Sequence, residues 1–353
     1  QDFYIKLNFY KKFKKIHNLF EKIYRKTKFF NFNLFLDIFI NSRKDKIINF
    51  EKKFYNLNNI LIDIGEINKL INVFKFVPNA NFLSFPNGIA LAQLSNKDED
   101  EEIINMNTKN LKKIYVFIFN TKEKNYYKKK FGISDEKILH IPILRHKQSW
   151  VNSIIKYEKT DIPLSFNNYI IIASKPGTNR AFPRNNKIKM IKFIKKLFVD
   201  NMKMKLIIKL HPKEIDDGLY SQLLGKEFYK RNWFISSNHI FTIAQRAKLC
   251  ISFGGSLPVD LINLNIPSIE FRDLNNIREF DNEDALRDNN NNPISYLAYQ
   301  KLFFSATDYE NLSNIGKNIF KNYNTIIEEN KKNYKKVFLN PENVPNFILK
   351  FFL

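Results

Sequence analysis

Between about residue 165 and residue 271, short apolar runs alternate with helical stretches, and few folds accept that pattern. Tyr169-Ile170-Ile171-Ile172-Ala173 reads as a strand buried on both faces, followed by a turn-rich loop over 174–180 and a helix around 186–199. Leu206 to Leu210 is the next strand and Trp233-Phe234-Ile235 a short one. A helix over 241–247 precedes Leu249-Cys250-Ile251-Ser252. A Gly-rich turn then opens a helix through Leu264, and Ser268-Ile269-Glu270-Phe271 is a further strand. Strands this apolar, separated by helices, require a parallel sheet covered on both faces, a doubly wound α/β domain. Ligands of such sheets bind outside the carboxyl ends of the strands.

The chain has 353 residues, room for two domains at roughly 150 residues each. Residues 33–160 read as an irregular α/β unit, with buried strands at Phe35 to Ile40, Ile60 to Ile64 and Ile114 to Phe119. Residues 161–353 form the cleaner second domain. Within it, 281–293, with four consecutive Asn, is expected to be a mobile loop, and 295–335 to be helical. In residues 1–32, Phe9, Phe13, Ile16, Phe20 and Ile23 recur at spacings of 4, 3, 4 and 3, with Lys and Arg on the other faces. That is the pattern of a helix lying on an anionic membrane, and equally of a helix packed on its own domain with a solvated basic face. In the first case the segment would bind anionic liposomes in a salt-sensitive way.

Composition excludes several classes. Hydrophobic residues make up 44% of the chain, too many for a disordered polymer. The single cysteine, Cys250, excludes a disulfide scaffold and a cysteine-built zinc site. No run of about 18 apolar residues is present to span a membrane. The acidic surface loop from Lys97 to Glu102 has nothing apolar nearby to hold its Asp-Glu-Asp rigid, so no metal site is expected. The count of 58 Lys+Arg against 35 Asp+Glu gives +23, which attracts polyanions. The same Lys, Asn, Ile, Phe and Tyr excess follows from AT-rich codons, so local patterns must carry the functional argument.

Three local patterns fall where a parallel sheet places its ligand. His211-Pro212 follows the strand ending at Leu210; proline stops the strand and presents the imidazole at the sheet edge. There it can donate to a phosphate oxygen or protonate a leaving group. Ser252-Phe253-Gly254-Gly255-Ser256 joins a strand to a helix. Its glycines allow close backbone approach, and Ser256 stands at the helix N-cap beside free amides suited to a phosphate. It is neither a P-loop nor a GxGxxG turn. The loop after Ala173 carries Gly177, Thr178 and Arg180, with Arg184 beyond, as candidate anion ligands. Each alone is equally a loop histidine, a plain capped turn or a solvated basic loop. Convergence on one edge is what points to a nucleotide.

The strand ending in His-Pro, the Ser-x-x-x-Ser turn and Asn265-Ile266-Pro267-Ser268-Ile269-Glu270 together resemble the C-terminal half of GT-B glycosyltransferases of bacterial surface-polysaccharide synthesis. These include sialyltransferases, polysialyltransferases, capsule Kdo transferases and teichoic-acid glycerophosphotransferases. The resemblance covers about 165–280, and 60–150 only loosely. It implies a GT-B-like α/β fold of two Rossmann-like domains facing a cleft, with 33–160 on the acceptor side and 161–353 binding the nucleotide sugar. In the sialyltransferase-like members the His-Pro and Ser motifs bind the CMP phosphate, which here assigns His211, Pro212, Ser252, Gly254, Gly255 and Ser256, with Glu270 alongside. An acidic-acidic-Gly motif supplies their base. Asp63-Ile64-Gly65 matches its first position and departs at the second, where Ile replaces the acid. Phe85-Pro86-Asn87-Gly88 looks like a related Pro-His-Gly turn with Asn in place of His.

The expectation is therefore an inverting, metal-independent glycosyltransferase. Asp63 would be the base, or else a strand-end cap, and His211 the partner of the departing phosphate. The donor would be CMP-linked and acidic, such as sialic acid or Kdo, and the acceptor a glycan or lipid-linked saccharide. No further cofactor is expected. The protein would be cytoplasmic, peripheral on the inner face of the membrane. Transfer of polyol phosphate from a CDP-glycerol-like donor would use the same residues. A non-enzymatic basic binder of nucleic acid or membrane is the other class; no nucleic-acid-binding motif is present, and no nucleic-acid partner is expected.

Overall fold

Two parallel sheets organise the chain. The computed structural model describes residues 59–62, 81–84, 114–177, 182–275 and 286–343. The first sheet runs in sequence order: β1 (Asn59–Ile62), β2 (Asn81–Ser84), β3 (Ile114–Ile118) and β4 (Ile138–His140), each pair parallel. The second contains β5 (Tyr169–Ala173), β6 (Lys205–Lys209), β7 (Trp233–Ile235), β8 (Ala247–Ser252), β9 (Ser268–Phe271) and β10 (Phe304–Ala306). Its order is β10-β9-β8-β5-β6-β7, again parallel throughout. Helix α1 (Lys122–Phe131) belongs to the first sheet's segment. The second is served by α2 (Gln148–Tyr157), α3 (Arg184–Ile194), α4 (Leu219–Leu224), α5 (Ile240–Ala244), α6 (Leu257–Asn263), α7 (Tyr296–Tyr299), α8 (Tyr309–Lys321) and α9 (Tyr323–Val337).

The central strand shows why the sequence folds this way. Every residue of β5 is buried. Ile170 and Ile172 enter one core with Ile194 of α3 and Ile319 of α8, whereas Tyr169, Ile171 and Ala173 enter another with Val151 of α2 and Phe241 of α5. The two-residue period of a strand sends alternate side chains to opposite faces, so a strand covered on both faces must be apolar at every position.

Some expectations need adjustment. Strands β2 and β4 were not expected, and the tract read as helical over 295–335 contains β10. All three have only three or four residues, too few to display a period. Strand β8 begins at Ala247, where a helix was expected to end. The run 289–292 closes a turn around Asp288, whose Oδ1 accepts from the amides of Asn290 at 2.9 Å and Asn292 at 2.8 Å. Residues 1–32, the strand expected at 35–40, Asp63 and the turn at 85–88 lie outside the described residues. Among the described residues no helix is long and apolar enough to cross a membrane.

All described residues belong to one compact unit, and a buried polar junction helps hold it. His146 sits between the two sheets' segments. Its Nε2–H donates to Asp260 on α6 at 2.6 Å, and its Nδ1 lies 2.6 Å from the Tyr334 hydroxyl on α9. Arg145 Nε also donates to Asp260, at 2.7 Å. Burial pushes the His146 pKa below its ordinary 6.5, outweighing the bond to Asp260. Above pH 6.5 the ring is neutral in both folded and unfolded chains, and its contribution is complete. As the pH falls from there through the depressed folded value, the unfolded chain protonates first and stability is lost. We therefore expect the wild-type urea midpoint to fall across this window relative to His146→Gln. Parallel pH profiles of the two proteins would contradict the assignment.

Candidate functional site

The strand order of the second sheet contains a reversal. From β5 the chain steps outward to β6 and β7, then returns to the other side of β5 as β8 and continues to β9 and β10. The loops after β5 and β8 therefore diverge to opposite sides of the sheet, and the crevice between such loops is where open parallel sheets bind ligands. Register aligns the edge: Glu270 pairs with Ser252, Ser252 with Ala173, and Ala173 with Lys209. The three loops singled out in the sequence thus leave adjacent strands at one level. Those bearing His211 and Ser256 are two strands apart, roughly 10 Å at ordinary strand spacing.

His211 is exposed and held by its own turn. The Glu214 amide donates to the His211 carbonyl at 2.7 Å, closing a four-residue turn with Pro212 at its second position, where a fixed φ is favoured. The Lys213 amide donates to His211 Nδ1 at 3.1 Å. A neutral ring that accepts at Nδ1 carries its proton on Nε2, so Nε2–H faces away from the turn as a donor.

In the second loop, Ser252 is 1% exposed and its Oγ accepts from the Gly254 amide at 3.1 Å. It shapes the turn from within. Gly254 and Gly255 have φ of 100° and 127°, backbone that side chains rarely adopt. Ser256 is the N-cap of α6, yet its hydroxyl makes no capping bond; the expected cap exists in position only. Of the third loop, Gly177 is exposed, and a Cβ there would lie 3.1 Å from Arg184 Cα. Thr178 and Arg180 lie outside the described residues. Arg184, a candidate anion ligand, pairs with Asp217, and both side chains are exposed.

Glu270 is 6% exposed. Burial raises its pKa, against the opposing Ser295 hydroxyl and the nearby Arg272 and Lys175 charges. Among the described residues its Oε2 has no hydrogen-bond partner. An orphaned buried oxygen at a sheet's ligand edge is an acceptor without its donor.

Of two cations at this edge, Lys175 belongs to the third loop singled out in the sequence, and Arg272 lies outside every motif. Arg272 directly follows β9, and its guanidinium lies against the glycine turn, with Nη1 3.1 Å from where a Gly254 Cβ would be. Lys175, in the loop after β5, acts on Glu270 together with it. Only the two adjoining signals, Glu270 and the turn, marked the region in a chain with 58 Lys and Arg. At the first sheet's carboxyl edge, Glu123 is buried, and that burial raises its pKa to about 7. Its oxygens accept from Phe119 N at 3.3 Å and Asn120 Nδ2 at 3.0 Å, so it closes the start of α1. Among the described residues no group of three His, Cys, Asp or Glu is placed to hold a metal.

No protein-family model matches the chain, and no curated protein matches its sequence. Solved structures do match. The S. aureus MnaA–UDP co-structure is similar over 85% of this chain and 74% of that one, with a TM-score of 0.53 and 9% identity. A UDP-N-acetylglucosamine 2-epimerase is similar over 84% and 72%, with a TM-score of 0.51 and 11% identity. The wall teichoic acid polymerase TagF, at a TM-score of 0.45 and 16% identity over 75% of this chain and 65% of that one, is too distant to bear on the argument. At these identities the likeness is one of fold: the chain has a GT-B-like α/β fold built on two parallel sheets.

Proposed function

We propose that this chain is a glycosyltransferase that moves a sugar from a nucleotide-activated donor to a glycan or lipid-linked acceptor of a surface polysaccharide. The observation that carries this reading is the reversal point of the second sheet, with His211, the Gly254–Ser256 turn and the orphaned Glu270 oxygen on one edge. In the reaction an acceptor hydroxyl oxygen attacks the anomeric carbon while the bond from that carbon to the phosphate oxygen breaks. The electron pair leaves with the phosphate, and the proton passes to a base, for which Asp63, next after β1, is the candidate. His211 Nε2–H, with Arg272 and Lys175, would meet the developing phosphate charge. Glu270 Oε2 would accept from a hydroxyl of the nucleotide's ribose. The mechanism proposed is inverting and metal-independent, at the inner membrane face.

The proposed donor is CMP-linked, because His211 and one glycine turn suffice for a single phosphate. A second reading, a nucleoside diphosphate donor such as a UDP-sugar or CDP-glycerol, is favoured by Arg272 against Gly254, a cation beyond what one phosphate requires. Thermal-shift titration with CMP, CDP, UDP and GDP separates them. A ligand at 100 times its dissociation constant adds about 2.7 kcal/mol. Stabilisation by CMP above the others supports the first reading, and stabilisation by diphosphates with CMP inert supports the second. No response to any of the four would remove the nucleotide site.

A further inference from the structure

We propose that Glu214 is a positioning residue for His211, holding the imidazole in the orientation that directs Nε2–H toward the ligand edge. This rests on the reading of His211 as a phosphate donor.

Glu214 stands three residues after His211, outside every motif recognised in the sequence. One of its oxygens, Oε1, accepts from the Ser174 hydroxyl at 2.9 Å and pairs with Lys187 Nζ. The other, Oε2, receives the His211 amide at 3.4 Å. Ser174 is the first residue past β5, Lys187 lies on α3, and the Tyr220 hydroxyl of α4 donates to Ser174 Oγ at 2.6 Å. A single carboxylate therefore fastens the His-Pro turn to the end of the central strand and to α3. The Lys187 and Glu214 side chains are only 5% and 7% exposed.

A buried ion pair is weak evidence for stability, because the cost of desolvating two charges can exceed their attraction. The turn has its own closure in the main-chain bond from Glu214 to His211 and in proline's fixed φ. The carboxylate adds direction. It fixes where the turn, and the ring it carries, sit relative to the loop after β5. If the turn pivots, the Lys213 amide moves with the ring, so Nδ1 keeps its donor while Nε2 swings away from the ligand edge.

The test uses the full chain as wild type, Glu214→Gln and the double variant Lys187→Met/Glu214→Gln, which avoids leaving a buried lysine unpaired. Long-range proton–nitrogen NMR of the histidine side chains reads the surroundings of the ring, with His211→Gln assigning the signal among five histidines. Calorimetry with CMP and with UDP reads affinity. The expected result is a His211 ring signal that shifts in both variants while Nδ1 stays the accepting nitrogen, and nucleotide affinity about 10-fold weaker, the worth of one mispositioned hydrogen bond. Variants that melt earlier yet keep the wild-type ring signal and affinity would overturn the proposal, leaving Glu214 a structural residue. If wild type binds neither nucleotide, the nucleotide reading fails, while the ring-signal comparison still decides the role of Glu214.

Discussion

Replacing His211 with alanine is expected to slow nucleotide-dependent transfer roughly 30- to 1,000-fold, the equivalent of about 2–4 kcal/mol of lost transition-state stabilisation. The melting temperature should stay near that of wild type. The side chain is exposed, and among the described residues its one hydrogen bond is local, from the Lys213 amide. The turn itself closes through main-chain atoms, the Glu214 amide and the His211 carbonyl. Rate assays with matched unfolding curves check this. A folded variant with near-normal turnover would remove His211 from the chemistry.

The second large effect is on stability. Lys187→Met is expected to cost about 3–5 kcal/mol, because it leaves the Glu214 carboxylate buried without its cation. The double replacement Lys187→Met/Glu214→Leu should recover most of that loss, since it removes both charges and returns apolar volume. Both are measured by denaturant unfolding, comparing midpoints at unchanged slope. A single variant that loses less than about 1 kcal/mol would show that water reaches the pair and that the burial argument is wrong.

The legible parts of the sequence were those where local pattern and tertiary environment agree. Strands β5 and β7 stand out as unbroken apolar runs between turn residues, and they lie where the pattern puts them. His211 and the Gly254–Gly255 turn were legible because proline and glycine mark where a strand stops. Strand order was not. No local pattern says that β8 returns beside β5, yet that return brings residues 211 and 256 to one edge. For the same reason Glu214, Arg272 and the His146–Asp260 pair went unseen. Each is an ordinary charged or polar residue whose importance lies in partners distant in sequence: Asp260 is 114 positions from His146. Ser256 shows the converse. Its place at the helix start was legible, whereas the missing capping bond is a matter of side-chain orientation.

The central claim is that a nucleotide occupies the reversal point of the second sheet. Its most direct test is a crystal structure of the full chain grown with CMP or, in parallel, with UDP. The account predicts the nucleotide's phosphate between the loop following Ala173 and the Gly254–Ser256 turn, with His211 Nε2 within hydrogen-bond distance of a phosphate oxygen and Glu270 Oε2 meeting a ribose hydroxyl. A nucleotide bound away from these loops, or crystals that stay empty at concentrations giving full thermal stabilisation, would contradict it.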